Sequence, residues 1–80
     1  MNNNAEIEHR FSTEDIFFLK IDGDGYHYDL IIVSDIFLNQ SKINRQKWVY
    51  NKLQDLIISG KLHAINMQTL TKAEWEQING

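Results

Sequence analysis

The spacing of hydrophobic and polar residues along the chain predicts three strands. Residues 16–21 and 26–33 are rich in aromatic and β-branched side chains, and Asp22-Gly23-Asp24-Gly25 between them has the composition of a hairpin turn. These two segments therefore predict an antiparallel pair. Residues 61–69 alternate with a period of two and predict a third strand, one face of which carries His63, Ile65, Met67 and Thr69.

Helical periodicity marks three further segments. Residues 5–12 predict a short first helix, because Ile7 and Phe11 lie four positions apart. Residues 42–58 predict the longest helix, and Gly60 follows as a left-handed stop. Its expected apolar stripe consists of Val49, Leu53, Leu56 and Ile57, joined by Ile43, Tyr50 and Trp48. Thr71 and Glu74 have the spacing of a capping box at the start of a last helix.

The order of these elements predicts an α+β architecture. The connection from Ser34 to Gly60 is long enough for the third strand to run parallel to the second, since parallel neighbours need a crossover of a dozen or more residues. We therefore expect helix-strand-strand-helix-strand-helix, with a three-stranded mixed sheet and helices packed on one face. Eighty residues fit one modest core, so residues 1–80 are expected to form a single domain.

Composition excludes several kinds of chemistry. The chain has no cysteine, so it holds no disulfide, thiol nucleophile or thiolate metal site of its own. The first residues lack the features of a signal peptide, and no apolar run is long enough to span a membrane, so we expect a soluble, cytoplasmic protein. Neither an EF-hand loop nor a phosphate-binding glycine loop is present, and no carboxylate pair indicates acid–base catalysis. We therefore expect that the protein is not an enzyme.

The net charge of −3 conceals an asymmetry between the two halves of the chain. Residues 1–40 carry eight acids and two bases (2 − 8 = −6), whereas residues 41–80 carry six bases and three acids (6 − 3 = +3). Four bases lie in the longest predicted helix with no acid among them: Lys42, Arg45, Lys47 and Lys52. They could form a surface for a partner or for nucleic acid. On charge alone, an ordinary solvated helix face is the better interpretation.

His63 is the residue of the third strand that packing explains least. A half-buried, hydrogen-bonded imidazole is the ordinary interpretation of a histidine beside Ile65 and Met67. A metal-ligand role needs a second group nearby, and the hairpin offers His27 and Asp24. Neutral imidazole binds iron, zinc or copper, whereas an aspartate favours harder ions.

Four ordered motifs resemble the BolA family, and the chain is most similar to its small bacterial IbaG (YrbA-like) branch. They are residues 28–37 (YDLIIVSDIF), residues 45–50 (RQKWVY), the pair His63-Ala64, and residues 71–75 (TKAEW). The resemblance covers nearly the whole chain and implies a fold like the type II KH domain. Two positions depart from the family pattern: Gln46 stands where the family often has histidine, and Asn39 where it often has glycine.

The resemblance implies a non-enzymatic role in iron–sulfur cluster assembly or trafficking, acting with a monothiol glutaredoxin. In such complexes a 2Fe–2S cluster is held by the glutaredoxin cysteine, by glutathione and by a BolA histidine, which corresponds to His63. A second family ligand, His or Cys, comes from the loop between the first two strands. That loop has neither residue at its tip here, so His27 just after it is the preferred candidate and Asp24 the poorer one. We expect no cofactor in the isolated protein, which would be a monomer or weak homodimer.

The resemblance also supports an alternative, because some BolA-like proteins are described as DNA-binding transcriptional regulators. In this chain the phosphate contacts would come from Lys42, Arg45, Lys47 and Lys52. The glycine loop with which KH domains clamp a nucleic-acid backbone is absent from the sequence.

Overall fold

The computed structural model describes residues 4–24 and 27–79, and its elements follow the predicted order. They are α1 (Asn4–His9), β1 (Phe18–Gly23), β2 (His27–Val33), the 3-10 helix η1 (Asp35–Phe37), α2 (Lys42–Ile58), β3 (Ala64–Leu70) and α3 (Lys72–Asn79). Gly25, the last residue of the predicted turn, and Tyr26, the predicted first residue of the second strand, lie outside the described residues. No helix in the described ranges is long and apolar enough to cross a bilayer.

The three strands form one mixed sheet in the order β1-β2-β3. β1 pairs antiparallel with β2, with Phe18 opposite Val33, and β3 pairs parallel with β2, with His27 opposite Ala64. The prediction of an antiparallel hairpin followed by a parallel third strand is therefore confirmed. β1 and β3 are the two edges of the sheet.

The hydrophobic core lies between the sheet and the helices α1 and α2. β2 contributes Tyr28, Leu30 and Ile32, all at most 1% exposed. The helices contribute a matching set of buried side chains: Ile7 from α1, Phe11 just after it, and Val49, Leu53 and Leu56 from α2. Burial of such side chains stabilises the fold by roughly 1.5–3 kcal/mol each relative to exposure. The core therefore accounts for the alternation of β2 and for the apolar stripe of α2.

The stripe of α2 is narrower than the sequence predicts. Ile43, Tyr50 and Ile57 were expected in it, but they are 64%, 43% and 38% exposed. One residue turns an α-helix by about 100°, so these three positions lie roughly 75–115° around the helix from the centre of its buried residues. They form an uncovered flank rather than part of the core.

α3 lies on the face of the sheet that α1 and α2 leave open, so the prediction that the helices pack on one face is confirmed for α1 and α2 and is wrong for α3. Its Trp75 stacks on Phe18 with ring centroids 5.0 Å apart and planes inclined by 23°. Leu19, adjacent to Phe18, and Tyr28, five positions before Val33, both pack in the core. Because successive side chains of a strand point to opposite faces, the paired residues Phe18 and Val33 lie on the other face of the sheet. The stack explains why Val33 is fully buried although it lies outside the main core.

Element ends follow the predicted local chemistry. Ser41 caps α2 by accepting the Asn44 N–H, and Gly60 ends it at φ 80°. Asn39 adopts φ 64°, which asparagine tolerates better than most residues, so the left-handed turn forms at this position without a glycine. The Thr71–Glu74 capping box is present: Thr71 Oγ1 accepts the Glu74 N–H, and Glu74 Oε1 accepts the Thr71 N–H.

Candidate metal-ligand and partner-binding site

His63 lies in the short connection between α2 and β3, where both sides of it are anchored. Leu62 is 2% exposed, and its N–H donates to the Leu56 carbonyl at 3.1 Å. Ala64 is the first residue of β3 and pairs with His27. His63 itself is exposed. The backbone of His63 is therefore held in place at one end of the sheet. His63 was predicted to lie within the third strand, but β3 begins one residue after it.

His27 lies beside His63 at the same end of the sheet. Adjacent strands are about 4.8 Å apart and residues advance about 3.3 Å along a strand, so the Cα atoms of the two histidines are about 6 Å apart. The His27 side chain is 80% exposed. It points to the open face of the sheet, because the next residue, Tyr28, points into the core. His63 precedes β3, so strand alternation does not fix the direction of its ring.

Asp24 holds the hairpin and keeps a carboxylate oxygen near His27. Its Oδ1 accepts the His27 N–H at 2.8 Å, and its own N–H donates to the His27 carbonyl at 3.2 Å. The other oxygen, Oδ2, is 4.0 Å from His27 Nδ1. The carboxylate is thus engaged with the backbone of the hairpin and lies on the Nδ1 side of the imidazole.

The ligand count of this end of the sheet is small. Within residues 4–24 and 27–79, no three His, Cys, Asp or Glu side chains are grouped closely enough to hold a metal ion. The candidates His63, His27 and Asp24 are close in the sheet register without forming such a group. Imidazole nitrogen is nonetheless a proven ligand for one iron of a 2Fe–2S cluster. The residues present therefore fit a ligand set that a second molecule completes.

Arg45, predicted to lie on the basic surface, is part of the scaffold. Its side chain is 13% exposed and donates to three acceptors: the Gln40 carbonyl at 3.0 Å, the Thr69 carbonyl at 2.9 Å and Glu74 Oε1 at 2.7 Å. Its guanidinium also lies over the Phe37 ring at 5.9 Å. The Arg45 hydrogen bond, followed by the Thr71 N–H, lowers the pKa of Glu74 below its usual value. Arg45 thereby joins α2, β3 and the cap of α3.

A second set of charges joins α2 to the segment around α1. Arg10 donates two hydrogen bonds to Asp55, at 2.6 and 2.7 Å, and Lys52 forms an ion pair with Glu14. The Arg10 hydrogen bond lowers the pKa of Asp55. Lys52 Nζ also lies 5.4 Å from the centre of the Trp48 ring. This side of α2 is therefore occupied by contacts within the chain.

The four predicted cations do not form one basic face. At about 100° per residue, Lys47 points roughly 140–160° away from Lys42, Arg45 and Lys52 around the helix. Arg45 and Lys52 are also paired with carboxylates, whereas Lys42 and Lys47 are exposed. The directions of the four side chains around α2 could be calculated from their spacing in the sequence. The ion pairs with Glu14 and Glu74 could not be predicted, because these two residues come from distant segments of the chain.

Residues 4–74 match the sequence profile of the family described as BolA-like protein. This range covers both edges of the sheet, α2 and the His63-Ala64 pair. The chain therefore belongs to the BolA family.

Individual relatives agree with this assignment. The chain is 33% identical over 63 residues to the acid stress protein IbaG of Escherichia coli strain K12, covering 75% of each protein. The BolA domain of SufE1 from Arabidopsis thaliana superposes with a TM-score of 0.82 at 30% identity, over 92% of this chain and 96% of that domain. A bol-like protein from Babesia bovis gives a TM-score of 0.82 at 27% identity, over 100% and 96%. The predicted BolA fold is confirmed.

Proposed function

We propose that this BolA-family domain is a non-enzymatic adaptor for iron–sulfur cluster assembly or trafficking that supplies His63 to a 2Fe–2S cluster shared with a monothiol glutaredoxin. The observation that carries the proposal is the exposed position of His63 between the buried Leu62 and the first residue of β3. A ligand offered to another molecule must be accessible yet fixed, because flexibility of the ligand lowers affinity for the metal. A histidine on a flexible surface loop would be accessible but not fixed.

The donor set fits a shared cluster. This chain has no cysteine, and a 2Fe–2S cluster takes four protein or thiol ligands. The glutaredoxin cysteine and glutathione would supply thiolate, while this chain would supply imidazole. A cytoplasmic location belongs to the same proposal, since free thiols persist in a reducing compartment.

His27 is the proposed second ligand, and Asp24 is proposed to orient it. Histidine ligands commonly direct their second ring nitrogen to a carboxylate or carbonyl, which fixes the ring and increases its basicity. Asp24 Oδ2 lies on the Nδ1 side of His27 at 4.0 Å, which leaves Nε2 directed away from the carboxylate. This arrangement favours His27 over Asp24 as the iron ligand.

The experiment is anaerobic reconstitution of the mixed complex from this protein, the cognate monothiol glutaredoxin and glutathione, followed by visible circular dichroism. His63→Ala should bind without producing the spectrum of the mixed cluster, whereas His9→Ala should match the native protein. His9 is a suitable control because it is an exposed histidine on α1, which packs against β1, the edge strand opposite β3. A native spectrum from His63→Ala would overturn the proposal.

The nucleic-acid alternative has less support. Of its four proposed phosphate contacts, Arg45 and Lys52 already pair with Glu74 and Glu14. If only Lys42 and Lys47 contact phosphate, log affinity should fall with log salt at a slope of about −2, against nearly −4 for all four cations. A titration against duplex DNA at several salt concentrations measures this slope. A slope near −4 would restore the alternative.

A further inference from the structure

The sheet has one face that is covered only at one end. The helices α1 and α2 pack on its core face, whereas Trp75 of α3 contacts the opposite face, the open face, at Phe18. Beyond this stack, the side chains of the open face are exposed, apart from one half-buried isoleucine, and they form three rows across the strands. The rows are His27 and Ala64; Asp22, Asp29 and Asn66; and Lys20, Ile31 and Gln68.

The direction of His27 distinguishes this face from an ordinary solvated one. Exposure alone does not indicate a partner, because an antiparallel pair often keeps one face in water. The His27 side chain lies on the open face, at the His63 end of the sheet, and 80% of it is exposed. Ala64 beside it lies on the same face, since the next residue, Ile65, packs against the core. The small side chain of Ala64 leaves the space next to the imidazole open.

The position of His27 determines from which side another molecule can reach it. Its Nε2 atom is directed away from the Asp24 carboxylate, on the open face. The other side of the sheet is closed, because Tyr28 and Leu62 fill the core there and are 1% and 2% exposed. A molecule that shares a metal ligand set with this histidine must therefore lie over the open face.

Two carboxylates stand side by side in the second row. Asp22 and Asp29 are directly opposite each other across β1 and β2, where like charges destabilise a sheet. Their neighbours offset this in part: Lys20 Nζ lies 3.6 Å from Asp22 Oδ2, and Asn66 Nδ2 donates to Asp29 Oδ1 at 3.3 Å. The three rows hold two carboxylates and one ammonium group. The surface beside His27 therefore favours a cationic contact from another molecule.

A shallow cavity lies next to Asp29, between β2 and β3. Its volume is about 330 Å³, and its lining includes Asp29, Ile31, Asn66 and Gln68 from the open face. The cavity thus combines an apolar group with a carboxylate and two carboxamides. Lysine and arginine side chains match this combination, because each has an apolar stem and a charged head.

We propose that the glutaredoxin partner binds over this part of the open face, from the His27 row to the cavity, and places a lysine or arginine side chain in the cavity against Asp29. The proposal rests on the function proposed above and extends it, because it assigns the face that the partner occupies and the charge of its contact surface. The outer side of α2 stays in solvent in this complex.

The same charges disfavour other occupants. Phosphate groups of a nucleic acid would meet Asp22 and Asp29, and contacts between like charges are repulsive. A second copy of the chain docked face to face would bring the same carboxylates of both copies into one interface. A protein with thiolate ligands and basic side chains agrees with both observations, the direction of His27 and the charge of the second row.

Photo-cross-linking from single cysteines tests the face directly, because the chain has no cysteine of its own. Gln68→Cys would be labelled with benzophenone maleimide before the mixed complex is assembled. Gln68 is exposed in the third row, at the border of the proposed surface. Gln54→Cys is the matched control. Gln54 is an exposed glutamine of α2, about 140° around the helix from the buried Val49 and thus on the outer side.

Illumination should link the Gln68 label to glutaredoxin and leave the Gln54 label unlinked. Equal cross-linking from the two labels would overturn the proposal. The absence of a link from the Gln68 label, in a complex that gel filtration shows to have formed, would also overturn it. So would a native protein that forms no complex with glutaredoxin.

Asp29→Lys and Glu8→Lys test the charge of the contact, because both change the net charge by the same amount. Glu8 is exposed on α1, on the core side of the sheet. At about 0.1 M salt, where charges are screened beyond about 10 Å, Asp29→Lys should lower the association rate constant with glutaredoxin at least about fivefold. Glu8→Lys should lower it less than about twofold. At about 1 M salt, the two variants should associate equally. Equal rate constants at the lower salt concentration would contradict the cationic contact.

The measurements separate this proposal from the proposed role of His63. The visible spectrum of His63→Ala reports on the ligand, whereas the cross-link and the association rate constant report on the face. A lost mixed-cluster spectrum in His63→Ala, together with equal cross-linking from the Gln68 and Gln54 labels, would refute the face alone. A native spectrum in His63→Ala, together with cross-linking from the Gln68 label only, would refute the ligand alone.

Discussion

Removal of the Arg45 side chain should destabilise the fold far more than removal of any exposed lysine on the same helix. Arg45→Ala deletes the donors to the Gln40 and Thr69 carbonyls and to Glu74. Thr69 is 4% exposed, so its carbonyl would be left largely without a partner. The cap of α3 would lose its cation at the same time.

The magnitude follows from these three contacts. Hydrogen bonds from a charged donor contribute about 1.5–3 kcal/mol when buried, and an unsatisfied buried carbonyl costs about 1–3 kcal/mol. The Glu74 side chain is 44% exposed, so its pair with Arg45 is screened by solvent and contributes at most about 1 kcal/mol. Because these terms overlap, we expect a net loss of about 2–4 kcal/mol. A domain of this size has about 4–12 kcal/mol of stability in total.

Urea denaturation followed by far-ultraviolet circular dichroism measures this loss. With a slope of about 1 kcal/mol per molar urea for a small domain, the midpoint should fall by roughly 2 M or more. Lys47→Ala is the control and should change the free energy of unfolding by less than about 0.5 kcal/mol, because Lys47 is exposed. Arg45→Lys should recover only part of the loss, since lysine lacks the planar fork of donors. Equal midpoints for Arg45→Ala and Lys47→Ala would refute the scaffold role of Arg45.

Three further predictions concern stability. Gly23→Ala should cost about 1–3 kcal/mol in thermal or urea unfolding, because a Cβ there would collide with the Tyr28 ring on the neighbouring strand; native stability in this variant would contradict the packing. Tyr28→Phe should leave stability unchanged or raise it by up to about 1 kcal/mol, because the Tyr28 hydroxyl is buried without a hydrogen-bond partner among the described residues; a clear loss would reveal a partner. Glu74→Gln should be less stable than the native protein near pH 7, and the difference should shrink as pH falls. The pKa of Glu74 is lowered in the fold, so its contribution is present above the unfolded pKa of about 4.3 and is lost as pH falls through the folded pKa. A difference that stays constant from pH 7 to pH 3 would contradict this.

Patterns that depend on local chemistry were predictable from the sequence. The hairpin, the parallel third strand, the Gly60 stop and the Thr71–Glu74 capping box follow from turn residues, spacing and crossover length, and all are confirmed. Long-range contacts were not predictable in this way. Arg45 has the same local context as an exposed cation, and only the fold brings Glu74 and Thr69 to it.

The limits of the apolar stripe show the same distinction. Ile43, Tyr50 and Ile57 satisfy helical periodicity as well as Val49 does, but they lie on another side of α2 and stay exposed. Their spacing of seven places them in one line along α2, but the sequence alone did not separate this line from the buried stripe. For the candidate site, the sequence suggested His63, His27 and Asp24 as candidates. The register of the sheet, in which His27 pairs with Ala64, shows that they lie near one another. Nothing in the sequence pattern showed that the Asp24 carboxylate accepts the His27 N–H.

The proposed role of His63 is tested most directly by detecting the bond between its ring nitrogen and iron. The protein would be produced with ¹⁵N-labelled histidine, combined with unlabelled glutaredoxin, glutathione and cluster, and reduced for pulsed electron paramagnetic resonance. The expected result is that His63→Ala loses one strong ¹⁵N coupling and keeps the one from His27, whereas His9→Ala keeps the native spectrum. A cluster without ¹⁵N coupling, or a native spectrum in His63→Ala, would contradict the assignment of His63 as the ligand.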